Sequence, residues 1–117
     1  MGRLSTHVLD TARGKPAAGV AVRLYALGDS ERRLLKSVIT NADGRPDAPL
    51  LSGNELVAGV YELVFSAGDY HRAQGEKPAT PPFLDEVVVR FGVADAAGNY
   101  HVPLLLSPYG YSTYRGS

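Results

Sequence analysis

An all-β fold, a two-sheet β-sandwich of about eight strands with one short helix, is predicted by three observations. Apolar residues recur with period two over short runs, the runs are separated by Gly, Pro, Asp and Asn clusters, and the chain of 117 residues is short for a barrel that encloses a ligand. A single domain over 1–117 is expected, since no repeat, linker or low-complexity tail interrupts the pattern and a chain of this length buries roughly two-thirds of its unfolded surface.

Leu4 to Thr11 reads as the first strand, closed by the breakers Gly14 and Pro16. Val20, Val22 and Leu24 alternate with Ala21, Arg23 and Tyr25 in the second. Leu34 to Thr40 makes the third and ends at Asn41-Ala42-Asp43-Gly44, whose Asp-Gly pair suits the positive φ of a tight turn. A short strand is expected near Leu51. Val60 to Ser66 follows, with Tyr61, Leu63 and Phe65 on the core face and Glu62 on a wet face. Ala67 to Gly75 lacks alternation and is the one helix predicted; His71 within it reads as solvated. Pro78 to Pro82 cannot donate a full ladder, so the sixth strand begins at Phe83 and runs to Phe91. Tyr100, Val102, Leu104 and Leu106 form the next, in which Pro103 predicts an edge position or a bulge. Tyr109 to Tyr114 closes the set.

Composition excludes several classes of function. Twelve basic and twelve acidic residues balance, so no field gathers nucleic acid or an anionic membrane. There is no cysteine, which removes disulfides, thiolate catalysis and cysteine-ligated metals. No basic patch leads a long apolar segment at the N-terminus, and the apolar run Val102 to Leu106 is far too short to span a bilayer, so a cytoplasmic protein is expected. Met1-Gly2 with Thr6 fits a loose N-myristoylation pattern, but Thr6 belongs to the first strand.

Only three histidines are present, at 7, 71 and 101, without metal-ligand spacing, so neither metal nor cofactor is expected. Alternation turns His7 away from Thr6 and Val8, and His101 away from Val102 and Leu104, so both point outward. From periodicity alone they read as surface residues. No Gly-x-Ser-x-Gly elbow supports a covalent acyl-enzyme. Arg45, just after the Asp43-Gly44 turn, could clamp an anion or lie exposed. Tyr109, Tyr111 and Tyr114 cluster near the C-terminus.

Longer words in the sequence carry a family resemblance. Leu4-Ser5-Thr6-His7-Val8-Leu9-Asp10 is similar to the opening strand of the transthyretin-like family, and Tyr114-Arg115-Gly116-Ser117 resembles the tetrapeptide that separates its 5-hydroxyisourate hydrolases from its hormone carriers. Pro16-Ala17-Ala18-Gly19, Asp43-Gly44-Arg45, Pro82-Phe83 and Tyr100 to Pro108 fall between them in family order. The resemblance implies hydrolysis of 5-hydroxyisourate to 2-oxo-4-hydroxy-4-carboxy-5-ureidoimidazoline in urate breakdown. It implies His7, Arg45, His101 and Ser117 as catalytic residues, with His7, Arg45 and Tyr114 binding the substrate. It further implies a homotetramer whose sites lie where outward sheet faces of different subunits meet. Imidazole suits such a reaction, because a reference pKa of about 6.5 leaves it mostly neutral near pH 7 yet basic enough to take a proton from water. Arg45, always charged, would bind substrate oxygens and cannot be the base. Two rivals are a transthyretin-type carrier of a small aromatic ligand and, more remotely, a structural or adhesion sandwich.

Overall fold

The computed structural model describes residues 2–116. Two sheets stack on one apolar core, with nine strands named β1 (Arg3–Asp10), β2 (Lys15–Pro16), β3 (Ala21–Leu27), β4 (Arg32–Ile39), β5 (Leu51–Ser52), β6 (Gly59–Ser66), β7 (Glu86–Val93), β8 (Asn99–Ser107) and β9 (Gly110–Thr113), and one helix, α1 (Ala67–Ala73). The first sheet runs β2-β1-β8-β9 with β5 also on β1; the second runs β4-β3-β6-β7. Leu4, Val8 and Leu104 from the first sheet meet Leu24, Leu63 and Phe65 from the second, all fully buried. Each such side chain contributes about 1.5–3 kcal/mol by leaving water.

β1 organises the site. Its neighbour β8 runs parallel to it over the whole strand, pairing Ser5 with His101 and His7 with Pro103. Its other edge is shared among short pieces, β5 at Arg3 and Leu4 and β2 at Leu9 and Asp10. Between these, the Val8 amide donates to the Gly44 carbonyl at 2.8 Å, so the loop after β4 is stitched to the middle of β1. Buried Thr40 holds the root of that loop, its hydroxyl donating to the Ala17 carbonyl at 2.7 Å and accepting from the Val20 amide at 2.9 Å. At the far end of β1, buried Asp10 accepts from the Tyr70 hydroxyl at 2.7 Å, which pins α1 to the sheet. Burial first, and the Asp10 carboxylate second, raise the Tyr70 phenol above its ordinary range.

Several expectations from the sequence are corrected. Pro103 is neither on an edge strand nor in a bulge: β8 lies inside its sheet. The Pro103 carbonyl, which accepts from the Thr113 hydroxyl, faces the β9 side, so its missing N–H falls in the gap between the Leu104–Thr113 pair and the His101–Gly116 bridge. The strand expected from Phe83 starts at Glu86, because the Asp85 carbonyl accepts from the Gly68 amide and is drawn towards α1. His71 is buried, 4% exposed, and its Nε2 makes no hydrogen bond among the described residues; its ring stands edge-on to Tyr70. The helix folds that side inward instead of leaving it solvated. Glu62 is buried too, roofed by Arg32 and Arg90. Gly2 is buried and Thr6 lies within β1, so from residue 2 onward the loose acylation pattern belongs to folded structure.

Candidate active site

Alternation along β1 sends Leu4, Thr6 and Val8 inward and Arg3, Ser5 and His7 outward. On β8 the inward set is Tyr100, Val102 and Leu104, with Asn99 and His101 outward. Since His7 pairs with Pro103 and His101 with Ser5, the histidines sit one diagonal step apart on neighbouring strands, roughly 8 Å between Cα atoms from strand spacing and rise. Both are half-buried.

The loop carrying Arg45 is built around Asn41. The Asn41 side-chain oxygen accepts from the amides of Asp43 (2.9 Å) and Arg45 (3.2 Å), its amide group donates to Asp47 at 3.0 Å, and the Gly44 amide donates to the Asn41 carbonyl at 2.9 Å. Gly44 has φ 77°, and a Cβ there would stand 2.4 Å from the Val8 carbonyl oxygen, so only glycine lets the loop lie this close to β1. That closeness brings the Asp43 carbonyl to His7, whose Nε2 lies 2.8 Å from it. A carbonyl only accepts, so Nε2 carries the hydrogen, and in the neutral ring Nδ1 keeps the lone pair.

His101 is held differently. Its Nδ1 lies 2.8 Å from the Ser5 hydroxyl. Burial is the first cause that holds its pKa below the ordinary 6.5, followed by the charges of Arg45, His7 and Arg3. Arg3, Ser5 and Arg45 line a recess of about 210 Å³ beside Asp47 and Pro46. Among the described residues neither Arg3 nor Arg45 forms a salt bridge. The chain returns to this face after β9: the Gly116 amide donates to the His101 carbonyl at 2.7 Å, and a Cβ on Gly116 would approach the His101 ring to 2.8 Å.

His7, Arg45 and His101, singled out from the sequence, are therefore gathered on one outward face. Tyr114 continues the β8–β9 register: with Leu104 opposite Thr113 and His101 opposite Gly116, it falls opposite Pro103, on the same outward side as His101. Arg115, one residue on, faces the other side and stacks over Tyr100 at 4.0 Å. A hollow of about 370 Å³ between β7 and β9 lies on that inner side, lined by Tyr100, Val102 and Arg115. Ser117 lies outside the described residues. Sequence reasoning missed Ser5, Arg3, the Asp43 carbonyl and Asn41. For Ser5 the signal was there: it lies two residues before His7 and thus on the same face of the strand. Among the described residues no group of three or more His, Asp or Glu side chains is arranged to hold a metal.

Comparison with known proteins adds to this geometry. A 5-hydroxyisourate hydrolase from Mesorhizobium japonicum is 67% identical over 116 residues, covering 99% of this chain and 93% of that one. The crystal structure of (S)-allantoin synthase matches with a TM-score of 0.94 and 42% identity over 99% of this chain, which spans 44% of that longer protein. Sea bream transthyretin in complex with thyroxine matches with a TM-score of 0.86 and 28% identity, covering 97% of this chain and 94% of that one. The model of the HIUase/Transthyretin family matches residues 4–116, and the chain belongs to that family.

Proposed function

We propose that this single-domain chain hydrolyses 5-hydroxyisourate to 2-oxo-4-hydroxy-4-carboxy-5-ureidoimidazoline, without metal or cofactor. The observation that carries the reading is the row of His7, His101 and Arg45 on one outward face, with the Nδ1 lone pair of His7 uncommitted and the Arg45 guanidinium without a carboxylate partner among the described residues. The 67%-identical hydrolase adds support.

Water attacks a ring carbonyl while an imidazole takes its proton; Arg45 holds the substrate and the oxygen on which negative charge develops. The ring C–N bond then breaks, the leaving nitrogen receives a proton, and a carboxylate is released. The second histidine orients the water or serves the leaving group. Tyr114 and Ser117 close the pocket and hydrogen-bond the substrate or water. The recess is open, and a facing copy would close it: the chain works as a homotetramer, in the cytoplasm, with sites between subunits. Edge strands β7 and β9 offer unpaired backbone for such assembly.

The test is direct. 5-Hydroxyisourate made fresh from urate by an oxidase should lose absorbance faster with the protein than without it, and the rate should fall as pH drops through roughly 6 to 6.5. Decay no faster than in buffer rejects the reading, and a flat profile to pH 4.5 with folded protein removes histidine as base. A second reading, a carrier of a small aromatic ligand, is favoured by the likeness to the thyroxine-bound transthyretin. It predicts saturable ligand binding with no turnover.

A further inference from the structure

Ser5 is, among the described residues, the one side chain that hydrogen-bonds a site histidine, and the proposed reaction gives it no part. The contact is built into the fold, because the parallel register sets residue 5 directly beside residue 101, and both strands turn these positions outward. A hydroxyl 2.8 Å from Nδ1 of an imidazole either accepts from an Nδ1–H or donates to an Nδ1 lone pair. The two cases give opposite faces to the reaction, since a neutral ring has one donor and one acceptor nitrogen. In the first, Nε2 is basic; in the second, Nε2 carries the hydrogen.

The surroundings decide between them. Ser5 lines the same recess as the guanidinium groups of Arg3 and Arg45. A hydroxyl lying between cations and an imidazole nitrogen is lowest in energy with its oxygen lone pairs towards the cations and its hydrogen towards the nitrogen. Among the described residues Asp47 is the one carboxylate lining the recess, and one of its oxygens already accepts from the Asn41 amide at 3.0 Å. The site also has a proton acceptor elsewhere, because the Asp43 carbonyl takes the Nε2–H of His7 and leaves its Nδ1 free. A neutral donor beside Arg45 would complete the set of groups around the oxygen of the attacked carbonyl. His101 is suited to this: its burial and the neighbouring charges favour the uncharged ring.

We propose that Ser5 is a positioning residue that donates its hydroxyl hydrogen to Nδ1 of His101 and so fixes the Nε2–H tautomer of that ring. This rests on the hydrolase reading and replaces the two parts given there to the second histidine: His7 takes the proton of the attacking water at Nδ1 and hands it to the leaving nitrogen, while His101, with Arg45, hydrogen-bonds the carbonyl oxygen through Nε2–H and keeps its proton. The backbone of Gly116, closing on the His101 ring and carbonyl, holds the ring against Ser5.

The experiment is a long-range proton–nitrogen NMR spectrum of protein labelled with ¹⁵N in its histidine rings, recorded without substrate near pH 7.5, alongside steady-state kinetics. The expected result is a single Nε2–H tautomer for His101 in the wild type. Ser5→Ala should mix the tautomers and lower kcat by roughly tenfold, as expected for one lost hydrogen bond to a buried polar group. Ser5→Thr, which keeps the hydroxyl, should restore both. An Nδ1–H ring in the wild type, or an unchanged tautomer and kcat in Ser5→Ala, overturns the proposal. If Ser5→Ala does not fold, the wild-type spectrum still decides. Because that spectrum needs no turnover, a wild type that leaves 5-hydroxyisourate untouched would remove the reaction without deciding the tautomer.

Discussion

The outer faces of the two sheets carry similar residues and treat them in opposite ways. On the β3-β6-β7 face, buried Glu62 accepts from Arg90 at 2.9 Å and lies 3.4 Å from Arg32, which stacks over Tyr25 at 4.0 Å, while Arg23 is paired with Glu86. On the β1-β8 face, Arg3 and Arg45 stand beside two histidines and a serine with no salt bridge among the described residues. Charge that is matched internally stabilises the sheet, whereas charge held in place but left unmatched is available to a ligand. The difference arises from chain position. Glu62 and Arg90 are directly opposed on neighbouring β6 and β7, so cross-strand pairing satisfies them, and Arg23 on β3 reaches across β6 to Glu86 on β7. Arg45 comes from a loop held by Asn41 and Gly44, so its guanidinium is brought to the face without a carboxylate partner among the described residues.

The sharpest way to break the comparison is His7→Asn, which should lower kcat/KM for 5-hydroxyisourate by about 10²–10⁴ with an unchanged melting temperature. Wild-type activity in that variant would remove His7 from the chemistry. Arg45→Gln should cost about 10²–10³ in kcat, as for loss of a group that stabilises developing negative charge. Deleting Arg115 to Ser117 removes the Gly116 bond to His101 and, on the proposed reading, the contribution of Ser117; roughly tenfold or more should be lost. A truncated protein that keeps the assembly state of the full chain and stays fully active contradicts a role for the C-terminal segment.

The matched face should respond in the other way. Glu62→Gln is expected to leave kcat/KM within about twofold while lowering stability by about 1 kcal/mol, a modest figure because Arg32 and Arg90 are solvent-screened. Hydrogen bonding to Arg90 first holds the Glu62 carboxyl below its ordinary 4.5, so its contribution to stability is complete above that value and lost as pH falls below it. His101 is depressed in the same sense from 6.5. Its contribution is complete above 6.5 and begins to be lost at that higher pH, since there too the unfolded chain binds more protons. Urea midpoints taken from pH 8 to 4 should therefore move in two windows. His101→Asn should abolish the upper one alone, and Glu62→Gln should shrink the lower one alone, which Glu55, held down by the Ser52 amide and Lys36, shares.

Much of the fold could be read from the sequence, because period-two alternation survives wherever one face of a strand is buried. It failed where tertiary contacts override local pattern. Asp85 is drawn to α1, and the Pro103 gap depends on where β9 stops. His71 and Glu62 are covered by parts of the chain remote in sequence. In the site, outward direction identified His7 and His101 as a pair but could not say that β1 and β8 are parallel neighbours, which is what sets Ser5 against His101. Arg45 was legible as a loop cation, but its docking depends on the Gly44 approach to Val8. Tyr114 was expected beside them because of its place in the terminal words, and what sets it opposite Pro103 is the β8–β9 register carried on to the His101–Gly116 bridge, which local pattern does not reveal.

The most direct measurement is a crystal structure of the assembled protein with a non-hydrolysable purine-dione analogue bound. The account predicts the ring in a crevice between subunits, within hydrogen-bond distance of His7 Nδ1, the Arg45 guanidinium and His101 Nε2. An analogue seated instead in the hollow between β7 and β9, or on the Glu62 face, would contradict it.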